Sequence, residues 1–305
     1  MESILVTGGA GYKGIVLVTA LLEKGYKVTV VDNFMYGYEP ILHLATHPGI
    51  RIIKHDIRNK ISDIAAYDVI FHLAGISGFP ACAANPHSAH LINAEATKSL
   101  IKDLGKDQRI IYASTTSLYG KSGNACNEET FVDPQSTYAM TKYLAEQYVQ
   151  EKENAISLRF ATVFGFSPKL RMDLMVNDFT YKALKERTLV LFDSFAKRTF
   201  IHVRDASKAY LFALENYDKM KGSIFNIGGN NLNFSKIEIA EKIKNFVDFE
   251  IINSELRDKD LRHFVVDFSK ICALGFKPDI SVEQGIQELI NVFSFYEYYS
   301  HYKPI

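Results

Sequence analysis

The chain predicts an α/β fold, a doubly wound parallel sheet followed by a smaller C-terminal α/β domain that binds substrate. Three observations carry that prediction. Residues 3–32 read strand, glycine cluster, helix, strand and terminal acid, in that order. From there to about residue 165, short apolar runs alternate with helical periods, the pattern of parallel strands joined by crossover helices. Beyond Gly165 the alternation breaks into a loop and helix rich in Arg, Met and Asp, then shorter strand and helix pieces.

The first strand, Ile4 to Val6, runs into Gly8, Gly9, Gly11 and Gly14, and a helix begins among these glycines. Glycine lets the backbone turn tightly and approach a pyrophosphate, while the N–H groups and dipole of the helix start favour its negative charge. This is a Rossmann-type cradle for a dinucleotide. The second strand, Val28 to Val31, ends in Asp32, followed by Asn33. A carboxylate there accepts hydrogen bonds from both adenosine ribose hydroxyls and repels a 2′-phosphate, which favours NAD over NADP. Later strands are expected at Arg51 to Lys54, Val69 to Leu73, Arg109 to Tyr112 and Ile156 to Phe160, with helices at His87 to Leu104 and Thr137 to Glu151. Such sheets bind ligands beyond the carboxyl ends of their strands. The segments starting at Asp32, Asp56, His72, Ser114 and Ala161 should therefore face one crevice. The expected division is 1–165 for the dinucleotide domain and 166–305 mainly for the substrate domain, with 199–217 returning to the first.

The 305 residues balance 35 Lys and Arg against 35 Asp and Glu, which offers no electrostatic case for nucleic acid or an anionic membrane as partner. Cys82, Cys126 and Cys272 are far apart and lack metal-ligand spacing, so reduced thiols and no metal are expected. The chain enters its first strand at once, and no apolar run approaches the ~20 residues that span a bilayer. A soluble, cytoplasmic protein is the expectation.

The chemistry-bearing residues are Thr115, at a hydroxyl-rich strand end, and Tyr138 and Lys142, which share one helix face at i and i+4. With a dinucleotide cradle in front of them, they form the arrangement that moves a proton and a hydride together. A free tyrosine has a pKa near ~10 and is a poor base at neutral pH. A cation ~6 Å away, at an effective dielectric of ~20, favours the phenolate by roughly 3 kcal/mol before desolvation is subtracted. Lys142 and the oxidised nicotinamide are the expected sources. Tyr138 would take the substrate hydroxyl proton while hydride leaves the same carbon, with Thr115 hydrogen-bonded to that oxygen.

The motifs TGGAGYKG at Thr7, VDN at Val31, HDIRN at His55, HLAG at His72, NAEAT at Asn93, STTSLYG at Ser114, YAMTK at Tyr138, RTFIHVRDA at Arg198, FNIGG at Phe225 and DFSKICALGFKP at Asp267 span nearly the whole chain. Together they resemble the extended short-chain dehydrogenase/reductase family, in its NAD-dependent nucleotide-sugar epimerase and dehydratase branch. The resemblance implies that the main chain around Gly8, Gly11, Tyr12, Lys13 and Gly14 holds the cofactor and that Asp56 and Ile57 lie against the adenine. It also implies that Leu73, Ala74, Gly75, Asn33 and Asn93 line the cofactor and that Lys142 holds the nicotinamide ribose. Arg198 and one or both of Arg257 and Arg262 should grip the diphosphate of a nucleotide sugar, with Asn177 a further candidate. Ser77, Gly78 and Thr116 should border the sugar.

Departures from the pattern are informative. Where the 4,6-dehydratases of the family carry an Asp-Glu pair after the threonine, this chain has Thr116 and Ser117, so water elimination lacks its acid and base. The related decarboxylases usually keep the glutamate, so Ser117 disfavours them too. Thr162 replaces an asparagine that touches the diphosphate in epimerases. Lys13 stands where an apolar residue is usual, and it either meets the cofactor pyrophosphate or snorkels at the surface. Some proteins resembling this one act on sugar nucleotides, GDP-heptoses among them, for surface polysaccharide synthesis. His202 reads as a structural histidine, Cys82 as a small packing residue, and the aromatic tail from Phe293 to Tyr302 as core or interface. The expected activity is oxidoreduction at C4, as epimerase or dehydrogenase, in a homodimer. The competing reading is a catalytically silent NAD-binding regulatory or scaffold protein on the same fold.

Overall fold

The computed structural model describes residues 2–256 and 262–298. Its main sheet has strands β1 (Ser3–Thr7), β2 (Lys27–Asp32), β3 (Ile50–Lys54), β4 (Val69–His72), β5 (Arg109–Thr115), β6 (Ala155–Phe160) and β7 (Ser223–Ile227). Every pairing is parallel, in the spatial order β7-β6-β5-β4-β1-β2-β3. The chain winds outward from β1 to β3, then crosses back to β4, and the reversal between β1 and β4 opens the crevice. β1 and β4 read as near-continuous apolar runs because both sheet faces are covered. The helices Tyr12–Glu23 and Val203–Glu215 cover one face, and Ala96–Asp103 and Thr137–Gln150 cover the other.

The helix expected at His87 to Leu104 forms as Pro86–Ala89, a π-helical turn His90–Glu95, and Ala96–Asp103. The wider turn places Asn93 inward, a displacement that a 3.6-residue period does not foresee. A second core, including Phe164, Val176, Leu189, Phe200, Ile286 and Phe293, holds the helices Met175–Lys185 and Val282–Phe295 together.

Of the segment 199–217, the helix Val203–Glu215 packs on the main sheet and the strand before it does not join that sheet. The strand Lys197–His202 pairs with Thr162–Phe164 and Asn233–Ser235 in a separate three-stranded sheet, and only the following helix lies on the main one. The edge of β6 is taken instead by β7. Both segments are short apolar runs, and composition does not say which of them claims a given edge.

In the tail, Phe293 is fully buried and Phe295 exposed, while Tyr298 packs edge-on against Tyr181; Tyr299 and Tyr302 lie outside the described residues. Cys82 and Cys126 are buried free thiols and Cys272 is an exposed one. Among the described residues no helix is long and apolar enough to cross a membrane.

Candidate active site

The carboxyl ends of β1, β2, β4, β5 and β6 open onto a crevice of ≈ 630 Å³, within the range of ligand clefts. Its floor is the glycine cradle. Gly8 has φ +72°, and a Cβ there would stand 2.7 Å from the Ala74 backbone; one on Gly14 would stand 2.1 Å from the Gly8 carbonyl oxygen. The strand end and helix start therefore approach as closely as backbones allow, leaving room above them for a diphosphate. Asp32 accepts from the N–H groups of Ala10 (3.0 Å) and Phe34 (2.8 Å). Burial pushes its carboxyl above the usual range, and these backbone donors oppose that. Asn33, Asp56, Ile57, Leu73, Ala74 and Gly75 line the same half of the crevice, with Asp56 also held by Arg58. These residues fit a dinucleotide.

The opposite half holds the reactive groups. Ser136 caps the helix Thr137–Gln150 by accepting from the Ala139 N–H at 3.1 Å, which places Tyr138 in the first turn, facing the end of β5. The hydroxyls of Ser77 and Thr115 are the polar neighbours that act on the phenol. Burial raises the Tyr138 pKa, while those two hydroxyls and the charge of Arg171 lower it. Thr115 also accepts from the Ser117 N–H at 3.1 Å. Lys142 is buried with its ammonium 4.1 Å over the Tyr112 ring, and desolvation brings its pKa down to about 7. Arg171 is a further side-chain cation that acts on Tyr138.

The profile of the NAD dependent epimerase/dehydratase family matches residues 4–228. The chain belongs to that family, and its cofactor is NAD. This family member is 28% identical over 330 residues to a CDP-paratose 2-epimerase of Salmonella typhi, covering 94% of this chain and 97% of that one. It is 29% identical over 312 residues to UDP-glucuronic acid decarboxylase 1 of Xenopus tropicalis, covering 96% of this chain and 72% of the relative. Among solved structures, the UDP-glucuronic acid 4-epimerase of Bacillus cereus in complex with UDP-glucuronic acid and NAD superimposes with a TM-score of 0.85 at 25% identity, over 96% of this chain and 99% of that one.

Not every site expectation for this epimerase-family chain meets the crevice. Asn93 is buried beneath it, where its side chain accepts from the Ile76 N–H (2.8 Å) and donates to the Ile76 carbonyl (2.9 Å) and to Thr141 (3.1 Å). It braces the loop after β4 rather than lining the cofactor space. Asn177 is likewise buried, with its carboxamide oxygen accepting from the Gly165 N–H (2.9 Å) and its amide donating to the Arg171 carbonyl (2.9 Å). Both amides satisfy buried backbone groups, which consumes the donors that a ligand would need. The Tyr12 phenol donates to the Gly165 carbonyl at 2.8 Å and ties the cradle helix to the loop after the strand Thr162–Phe164.

Gly78, Thr116, Arg198 and Arg262 also line the crevice. Arg198 is 1% exposed. Thr116 donates to the Phe160 carbonyl at 3.1 Å and Arg262 donates to the Ser117 hydroxyl at 2.7 Å. Arg257 lies outside the described residues. His72 is pinned between Thr7 (2.7 Å) and Thr97 (2.9 Å), and burial, with Lys142 nearby, brings its pKa down to about 3, so it stays neutral. His202 faces Glu288 at 3.2 Å.

Sequence reading missed Arg171. Its guanidinium pairs with Asp173 and donates to the Ser77 hydroxyl at 3.2 Å, and it lies beside Gly78, where a Cβ would stand 3.0 Å from its terminal nitrogen. The signal was the Arg, Met and Asp run after Gly165, but nothing local says that this loop reaches Ser77.

Proposed function

We propose that this protein inverts C4 of a nucleotide-diphosphate sugar, with NAD as the hydride carrier. The observation that carries this reading is that Tyr138, with Ser77 and Thr115 acting on its phenol, shares one crevice with the cradle and Asp32. The nicotinamide ring supplies a reversible hydride acceptor when NAD is bound. Tyr138 takes the proton of the sugar hydroxyl, and Thr115 and Ser77 hold the oxygen as it becomes a carbonyl. The same phenol returns the proton once the sugar has presented its other face. Arg198 and Arg262 supply forked donors to the diphosphate.

Thr116 and Ser117 support the exclusion of 4,6-dehydration, since both are hydroxyls engaged with Phe160 and Arg262 where an acid and a base would be needed. Arg171 beside Tyr138 favours a sugar that carries an acidic substituent, in line with the UDP-glucuronic acid bound to the Bacillus cereus enzyme.

The test is incubation with a panel of UDP-, GDP-, CDP- and dTDP-sugars, including UDP-glucuronic acid and a GDP-heptose, read by mass spectrometry and NMR. A product of unchanged mass with inverted C4 is expected. A product two hydrogens lighter would make the enzyme a dehydrogenase, and loss of water or carbon dioxide would overturn the proposed chemistry.

A further inference from the structure

Lys13 has no part in the chemistry above, yet its side chain enters the same crevice. It leaves the first turn of the helix Tyr12–Glu23, where a cation opposes the helix dipole. The ammonium lies 4.2 Å from the centroid of the Phe160 ring and 5.9 Å from that of Tyr210. It does not snorkel to the surface. Among the described residues no carboxylate or carbonyl meets it, and the side chains whose charge acts on it are Lys142 and Arg171, both of its own sign. Burial together with those two cations brings its pKa down to about 7. Phe160 ends β6 directly opposite Thr115 on β5, so the ammonium stands on the Tyr138 side of the cradle, away from Asp32.

Asp173 answers Arg171 and the charge of Glu146 acts on Lys142, but Lys13 has no such anion. We infer that Lys13 pairs with the cofactor pyrophosphate on its nicotinamide side and, by its charge, favours the neutral reduced ring over the positively charged oxidised one. The attraction to the pyrophosphate is common to both forms of the cofactor, while repulsion acts on the oxidised ring alone. NADH is thereby retained between the two hydride transfers of an epimerase. The inference rests on the NAD-dependent reading of the site.

The experiment is a fluorescence titration of the purified protein with NADH, followed by competition with NAD⁺, for the wild type, Lys13→Met and Lys13→Arg. ADP-ribose, which carries the pyrophosphate without the nicotinamide, serves as a third ligand. Lys13→Met should weaken all three ligands and lower the preference for NADH over NAD⁺ by about tenfold, the scale of one charge several ångströms away at intermediate dielectric. Lys13→Arg should keep most of that preference. An unchanged preference in Lys13→Met, with or without a uniform loss of affinity, would overturn the inference. Failure of the wild type to bind either dinucleotide would instead overturn the cofactor reading itself.

Discussion

Glu146 and Arg159 form a buried ion pair that locks the helix bearing Tyr138 and Lys142 onto β6. Nη2 of Arg159 lies 2.7 Å from Oε1 of Glu146, and Nε donates to both carboxylate oxygens at 3.1–3.2 Å. The remaining terminal nitrogen donates to the Tyr119 hydroxyl at 3.0 Å, which donates to Asn226 on β7 at 2.7 Å. One chain of polar contacts thus runs from the helix of the catalytic candidates across to the sheet edge. Neither side chain of the pair is more than 4% exposed.

Removing one partner leaves a buried charge without compensation. Glu146→Ala should cost about 3–5 kcal/mol of unfolding free energy, whereas the double variant Glu146→Leu/Arg159→Met should recover much of it. Urea denaturation of the single and double variants measures both. Equal destabilisation by the two would mean that packing, not charge, holds the helix here.

Tyr138→Phe keeps the ring and removes the acid/base oxygen. Cofactor affinity should stay near the wild-type value while turnover falls by about 10² or more. Full activity in this variant would remove Tyr138 from the chemistry.

Asp32 should enforce NAD over NADP, because a 2′-phosphate would meet its carboxylate with like charge in a partly buried site. Titration with both dinucleotides should give weaker binding of NADP, and Asp32→Asn should narrow the gap. Equal or tighter binding of NADP by the wild type would contradict the assignment.

A homodimer formed through the helices that cover the β4–β5 face would bury Leu91, Leu144 and Tyr148, all partly exposed in the single chain. Leu100, expected beside them, belongs instead to the monomer core. Light scattering should return a dimer mass for the wild type and a smaller one for Leu144→Glu. A monomeric wild type at micromolar concentration would refute the arrangement.

Much of the fold was legible because its information is local. The strand, glycine and helix series at the N-terminus, and the alternation that follows it, are written in neighbouring residues whose periodicity dictates which face is buried. Asp32 at the end of β2 and Thr115 at the end of β5 could be placed in one crevice from topology alone, since all parallel strands point their carboxyl ends the same way. Tyr138 and Lys142 could be paired from helical spacing, but not their surroundings. Where each side chain ends depends on what encloses it: Lys142 turns onto Tyr112, and Arg171, from a distant loop, reaches Ser77 and acts by its charge on the phenol.

The sequence by itself determined the glycine cradle, the carboxylate at the end of β2, the threonine and tyrosine that share its crevice, and the absence of carboxylates at Thr116 and Ser117. Only the tertiary structure decided that Asn93 and Asn177 brace buried backbone, that β7 rather than the strand Lys197–His202 completes the sheet, and that Lys13 turns inward beside Lys142. The physical reason is the same in each case. Propensity and periodicity act over a few residues, whereas hydrogen-bond satisfaction, edge pairing and the field at a buried charge are set by groups that only folding brings together.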